Sequence, residues 1–136
     1  MGKRDFKVTA PKGVARPVVT PKTDDEPNVA VSLRYWHTGS ECISVWQRTE
    51  LERLRKLIDK IQGLTATKVR LDHGLEHKLH KAAPKRGFTR PSGLSKDIPM
   101  CELRVTSKAR VHGALHNDIF YLVWLDRNHD VFPSGK

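Results

Sequence analysis

The apolar positions of this chain follow several different patterns, and each predicts a different element. Val29, Val31, Leu33 and Tyr35 alternate with Ala30, Ser32 and Arg34, the period of two expected for a strand with one buried face. The stretch from Trp36 to Ile43, which holds Thr38-Gly39-Ser40, reads as a loop. Leu51, Leu54, Leu57, Ile58 and Ile61 then recur at helical spacing. Ser44 and Gln47 fit a capping box ahead of this stripe, and Gly63 supplies the stop. Arg48, Glu52, Arg55, Lys56, Asp59 and Lys60 form the opposite, solvated face. A second helix is predicted around residues 67–81 with Val69, Leu75 and Leu79 inward, although Gly74 weakens it.

From Met100 onward the period shortens. Glu102-Leu103-Arg104-Val105 and Ala109-Arg110-Val111-His112 alternate, and His116-Asn117-Asp118 is a turn signal. Ile119 to Leu125 is apolar at both parities, as in a central strand covered on both faces. Asp126-Arg127-Asn128-His129-Asp130 forms a further turn, and Val131-Phe132 begins a short last strand that Pro133 ends. Pro84, Gly87, Pro91, Gly93 and Pro99 make residues 84–99 a long loop. The order predicts an α+β domain over residues 29–136, a four-stranded antiparallel sheet with one or two N-terminal helices packed on one face. Residues 1–28 hold Pro11, Pro17, Pro21 and Pro27 and valines without a period. They read as a disordered, Pro-rich arm.

Composition narrows the partners. The 136 residues carry 25 Lys and Arg against 15 Asp and Glu, a formal net charge of +10. Eight basic residues (Lys68, Arg70, Lys78, Lys81, Lys85, Arg86, Arg90 and Lys96) and two acidic ones fall within residues 65–96. That segment alone contributes +6, while residues 97–136 are balanced. An internal basic block favours a polyanion, and with Lys108 these residues are the candidate nucleic-acid-binding set. No run approaches the ~18 apolar residues of a membrane span, and the first residues lack the apolar stretch of a secretory signal. A cytoplasmic protein without a membrane partner is expected. Cys42 and Cys101 stand far apart in no metal spacing and are expected to be buried small hydrophobes.

Strand periodicity puts Glu102 and Arg104 on one face, and Arg110 and His112 likewise. If the two strands pair, two arginines and a histidine converge, and Tyr121 can join them from the next strand. Such a group suits RNA cleavage without metal. Proton transfer to and from ribose and leaving oxygens needs a group that titrates near neutrality, and the crowded phosphorane needs fixed cations. Ordinary cross-strand ion pairing by Glu102 is the competing reading. His73, His77 and His80 have i, i+4, i+7 spacing, but Gly74 interrupts the helix and Glu76 is the one carboxylate within that run. A solvated basic surface is favoured there over a metal, and no cofactor is expected. Trp36, beside His37, is a candidate base-stacking residue. No phosphate-binding glycine loop or nucleophilic serine motif occurs.

The order of a capped amphipathic helix, a basic middle, Glu102-Leu103-Arg104, Arg110-Val111 and the apolar strand Ile119–Leu125 resembles the RelE/HigB-like toxins. These are small basic ribonucleases with a four-stranded antiparallel sheet that cleave mRNA on the ribosome. The resemblance implies that Arg104 and Arg110 match the family's phosphate-binding arginines and that His112 is the acid/base candidate. It also implies RNA, the ribosome and an antitoxin protein as partners. The chain departs from the pattern at its last strand, where Val131-Phe132-Pro133 supplies no His, Tyr or Lys and His129 falls in the preceding turn. The alternative function is a non-catalytic nucleic-acid- or ribosome-binding module of the same fold, or a protein-interaction domain using the basic face.

Overall fold

A computed structural model describes residues 26–39, 42–85 and 88–132. Most of the proposed arm (residues 1–25), Arg86 and Pro133 lie outside the described residues. The elements are β1 (Ala30–Ser32), a 3-10 turn (Ile43–Val45), α1 (Arg48–Gln62), α2 (Ala66–Leu71), β2 (Lys78–Leu79), β3 (Cys101–Arg104), β4 (Arg110–His116) and β5 (Ile119–Asp126). The strands form one sheet in the order β1-β5-β4-β3-β2.

The α+β class matches the sequence reading, but the four-stranded antiparallel sheet is corrected to a mixed sheet of five strands. β1 runs parallel to β5, with Ala30 opposite Ile119 and Ser32 opposite Tyr121, while the other pairings are antiparallel. The fifth strand, β2, comes from the segment expected to continue the second helix. α2 ends at Leu71, where Asp72 takes extended backbone angles and its carboxylate accepts the Leu75 N–H at 3.0 Å. This side-chain competition for backbone donors stops the helix before Gly74. The chain then pairs Lys78 with Glu102 and Leu79 with Cys101. Val131 and Phe132 are buried but belong to no strand.

α1 begins later than the Ser44 capping box predicts. Gln47 is the cap, and its backbone N–H donates to Glu50 Oε1 at 2.8 Å. Ser44 lies in the 3-10 turn with its Oγ 3.0 Å from Cys42 Sγ. From the predicted stripe Leu54, Leu57 and Ile61 are buried, and they pack with Val69, Leu75, Leu103, Val111, Leu122 and Leu125 in a core between the helices and the sheet. Trp46 joins it and donates its indole N–H to the Leu125 carbonyl at 3.1 Å. β1 is shorter than its alternation because the chain turns at Leu33, whose carbonyl accepts the Trp36 N–H at 3.1 Å. Leu33 is therefore exposed, and Tyr35 crosses to the other side of the sheet to pack on Tyr121.

A second core covers the opposite sheet face, as the unbroken apolar run of β5 requires. Leu94, Met100, Ala114, Val123, Trp124, Val131 and Phe132 build it, with Phe88, Ile98, Tyr35 and Tyr121 at its margin. The cover is the loop expected from the prolines and glycines of residues 84–99. Arg90 holds this loop in shape, its guanidinium donating to the Leu94, Ser95 and Ile98 carbonyls. A register shift between His112 and Gly113 gives β5 one extra residue, so Val123 and Trp124 both enter this second core. Gly113 sits where a Cβ would lie 2.0 Å from the Tyr121 carbonyl oxygen. Both cysteines are buried and no disulfide joins them. Burial pushes the Cys101 thiol up to about 12, which suits an inert packing role.

Candidate functional site

β3 and β4 pair so that Glu102 faces His112 and Arg104 faces Arg110. The four side chains therefore share one sheet face, the one bearing the second core. What they do there differs from an open cleft. His112 is fully enclosed, and its Nε2 lies 2.7 Å from Asp126 Oδ2 at the end of β5. Asp126 is also fully buried. Its carboxylate accepts the Asp130 N–H at 2.7 Å and the Val131 N–H at 2.9 Å, bonds made available by the turn after β5. Burial alone would raise the Asp126 carboxyl, but the bonds from His112 and the two backbone N–H groups outweigh it and hold the group below its ordinary range. An ionised Asp126 fixes the proton of His112 on Nε2 and leaves Nδ1 as the free face of the ring.

That Nδ1 lies 2.9 Å from Nε2 of His80, which follows β2 and is stacked on Phe132 with ring centroids 3.6 Å apart. Burial, with the neighbouring His112 ring second, lowers His80 to about 4. Glu102 completes the group. Its Oε1 is 3.6 Å from His80 Nε2 and 3.3 Å from His129 Nε2, and its Oε2 is 3.4 Å from Arg110 Nε. The Glu102 carboxylate is itself nearly enclosed. His129 reaches it because the turn after β5 places His129 at φ 61°, a left-handed conformation that His, Asn and Asp adopt more readily than most residues. Among the described residues, His80, Glu102 and His112 form a group whose ligand atoms all lie within 4.8 Å of one another.

The arginines are engaged. Arg110 Nη1 donates to the Thr106 and Ala109 carbonyls at 2.9 and 3.0 Å, so its donors close the β3–β4 connection. Arg104 donates to Glu76 Oε2 at 2.6 Å and to the Thr106 carbonyl at 3.2 Å. Tyr121 faces the same side but lies beyond the register shift, opposite Ala114, with its ring 5.5 Å from that of Tyr35. The predicted group thus contributes Arg110 and His112 to a polar centre, while Arg104 stands at its rim and Tyr121 apart from it.

Of the basic set, Lys68, Lys78, Lys81, Lys85, Lys96 and Lys108 are exposed, as is Arg70, and Arg90 is turned into its own loop. Arg70, His77 and His116 line a concavity of about 580 Å³ with Ser95, Asp97 and Asn117, at the β2 side of the sheet. Arg70 donates there to the Leu115 carbonyl at 3.5 Å. His77 is half-buried, and its Nε2 has no hydrogen-bond partner among the described residues. Burial, followed by the charge of Arg70, lowers its pKa. Trp36 is half-buried against the helix-side core, so its indole is packed.

Sequence reasoning missed His80, Asp126 and His129 as members of one centre. The spacing groups His80 with His73 and His77 on a helix, but α2 ends at Leu71 and the three histidines separate. Asp126 and His129 both read as turn residues. The signal that could have found them is a carboxylate directly after an apolar strand, three residues before a histidine. Comparison with known protein families, curated proteins and solved structures finds no match for this chain.

Proposed function

We propose that the protein is a nucleic-acid-binding module, with RNA as its polyanion, that holds its ligand without cleaving it. The observation that supports this reading is the concavity lined by Arg70, His77 and His116, on a segment whose neighbouring lysines are exposed. An arginine and two imidazoles in a concave wall offer donors to phosphate oxygens, and the surrounding lysines add charge that releases counterions on binding. Asp97 on the same wall opposes phosphate locally, which favours a strand that enters from the lysine side.

The cleavage reading, with its toxin-like resemblance and antitoxin partner, is less well supported by the geometry. An acid/base group must come within hydrogen-bond reach of the proton it moves. His112 is enclosed and both its ring nitrogens have partners, and Arg104 and Arg110 spend donors within the protein. The test is fluorescence anisotropy of a labelled single-stranded RNA, with gel analysis of the same samples with and without chelator. Binding should weaken about tenfold or more between about 50 and 200 mM salt, Arg70→Glu should abolish it, and the RNA should stay intact. Salt-insensitive binding would remove the polyanion argument, and cleavage lost in His112→Ala would restore the ribonuclease.

A further inference from the structure

We infer that His80 Nε2, His112 Nδ1 and Glu102 Oε1 form a binding site for a divalent transition metal ion, Zn²⁺ by the chemistry of its donors. The inference is independent of nucleic-acid binding. It rests on how three segments distant in sequence bring ligand atoms, rather than merely residues, to one point.

The spacing of the donors suits a tetrahedral ion. Ligands about 2.0–2.1 Å from a tetrahedral ion stand roughly 3.3 Å from one another. His80 Nε2 lies 2.9 Å from His112 Nδ1 and 3.6 Å from Glu102 Oε1, so the two distances straddle that edge length. The remaining pair also falls within 4.8 Å. His129 Nε2, 3.3 Å from the same Glu102 oxygen, borders the group without belonging to it.

The groups behind the donors suit a metal as well. A metal-binding histidine characteristically donates its other ring N–H to a carboxylate, which fixes the tautomer and raises the basicity of the ligating nitrogen. His112 does this with Asp126 at 2.7 Å, and Asp126 is held by two backbone N–H groups. Glu102, the one anionic ligand, has Arg110 3.4 Å from its other oxygen. Two imidazoles and one carboxylate are borderline donors that suit Zn²⁺ and disfavour Ca²⁺ or Mg²⁺, which prefer oxygen shells.

The competing arrangement is a proton between the two imidazoles, with His80 donating to His112 at the same 2.9 Å. Metal and that N–H exclude each other at His80 Nε2, so coordination requires the neutral His80 ring to carry its proton on Nδ1. The test uses the full chain, stripped with chelator and dialysed, then titrated with Zn²⁺ and separately with Co²⁺. Wild type should take up one Zn²⁺ per chain, and Co²⁺ should give the visible absorption of a four-coordinate site. His80→Gln and Glu102→Gln should each weaken Zn²⁺ binding by about 100-fold or more, with circular dichroism checking that each variant is folded. His73→Gln, outside the group, should leave Zn²⁺ binding unchanged. No stoichiometric uptake by folded wild type, or binding by folded His80→Gln equal to wild type, would overturn the site and leave the histidine pair as a hydrogen bond.

Discussion

Replacing Gly113 by alanine should strongly destabilise the sheet at its centre. A Cβ there would stand 2.0 Å from the Tyr121 carbonyl oxygen, 2.9 Å from its carbon and 3.0 Å from Phe120 Cζ. The first two atoms are backbone on the neighbouring strand. Reaching even 3.0 Å, below which a Cβ is essentially never found, needs a retreat of about 1 Å by β5. That retreat breaks the ladder beside the register shift and moves Trp124 and Asp126 away from His112. Ordinary overpacking costs about 1–3 kcal/mol. A clash against backbone on a central strand, with loss of ladder hydrogen bonds, should cost about 4 kcal/mol or more. Domains of this size are stable by about 5–15 kcal/mol, so Gly113→Ala takes away a large part of the whole. In urea, with a slope of about 1–3 kcal/mol per molar, the midpoint should fall by about 2 M. Gly63→Ala is the control, because its Cβ meets nothing closer than 3.5 Å and its φ of −92° suits any residue. It should shift the midpoint little, or raise it slightly. A Gly113→Ala protein with the wild-type midpoint would refute the reasoning.

Other expectations concern separate parts of the molecule. Trp46→Phe removes the donor to the buried Leu125 carbonyl and should cost about 1–2 kcal/mol, read as a lowered melting temperature; an unchanged one would mean that the carbonyl finds another partner. Glu50 is held below its ordinary pKa of 4.5, first by the Gln47 backbone N–H and also by Arg127, whose Nε lies 2.8 and 2.9 Å from its two oxygens. Its contribution is present above pH 4.5 and is lost as pH falls through its folded value. Glu50→Gln should therefore cost about 1 kcal/mol at neutral pH, and the difference from wild type in urea should shrink as pH is taken progressively below 4.5; a constant difference would contradict this. Arg90→Met removes the donors that clasp three loop carbonyls, at about 1.5 kcal/mol. Limited proteolysis within residues 88–100 should accelerate about tenfold, and an unchanged cleavage rate would assign the loop's shape to packing alone.

The parts of this fold legible in the sequence are those whose signal is local. The α1 stripe, the β4–β5 turn at Asn117, which takes φ 54°, and the two-sided burial of β5 follow from periodicity and turn chemistry. Direction and partner choice are not local. Nothing in Val29–Tyr35 encodes that β1 runs parallel to β5, and Asp72 ends α2 through a bond that composition does not announce. The polar centre was half legible. Register alone brought Glu102, Arg110 and His112 to one face, but Asp126 and His129 arrive through a turn, and His80 through a strand too short to read as one.

The parallel pairing of β1 with β5 has a consequence for synthesis on the ribosome. Among the described residues, the first strand to emerge has as its strand partner the last strand to be made, with Ala30 opposite Ile119. Between them α1 and α2 emerge with apolar faces whose counterpart lies on β3, β4 and β5. Pairings this distant in sequence form late, because loop closure must precede any gain from contact. The nascent chain therefore has no complete sheet until β5 and the Val131 that anchors Asp126 have cleared the exit tunnel, so this domain folds largely after translation of its own last strand.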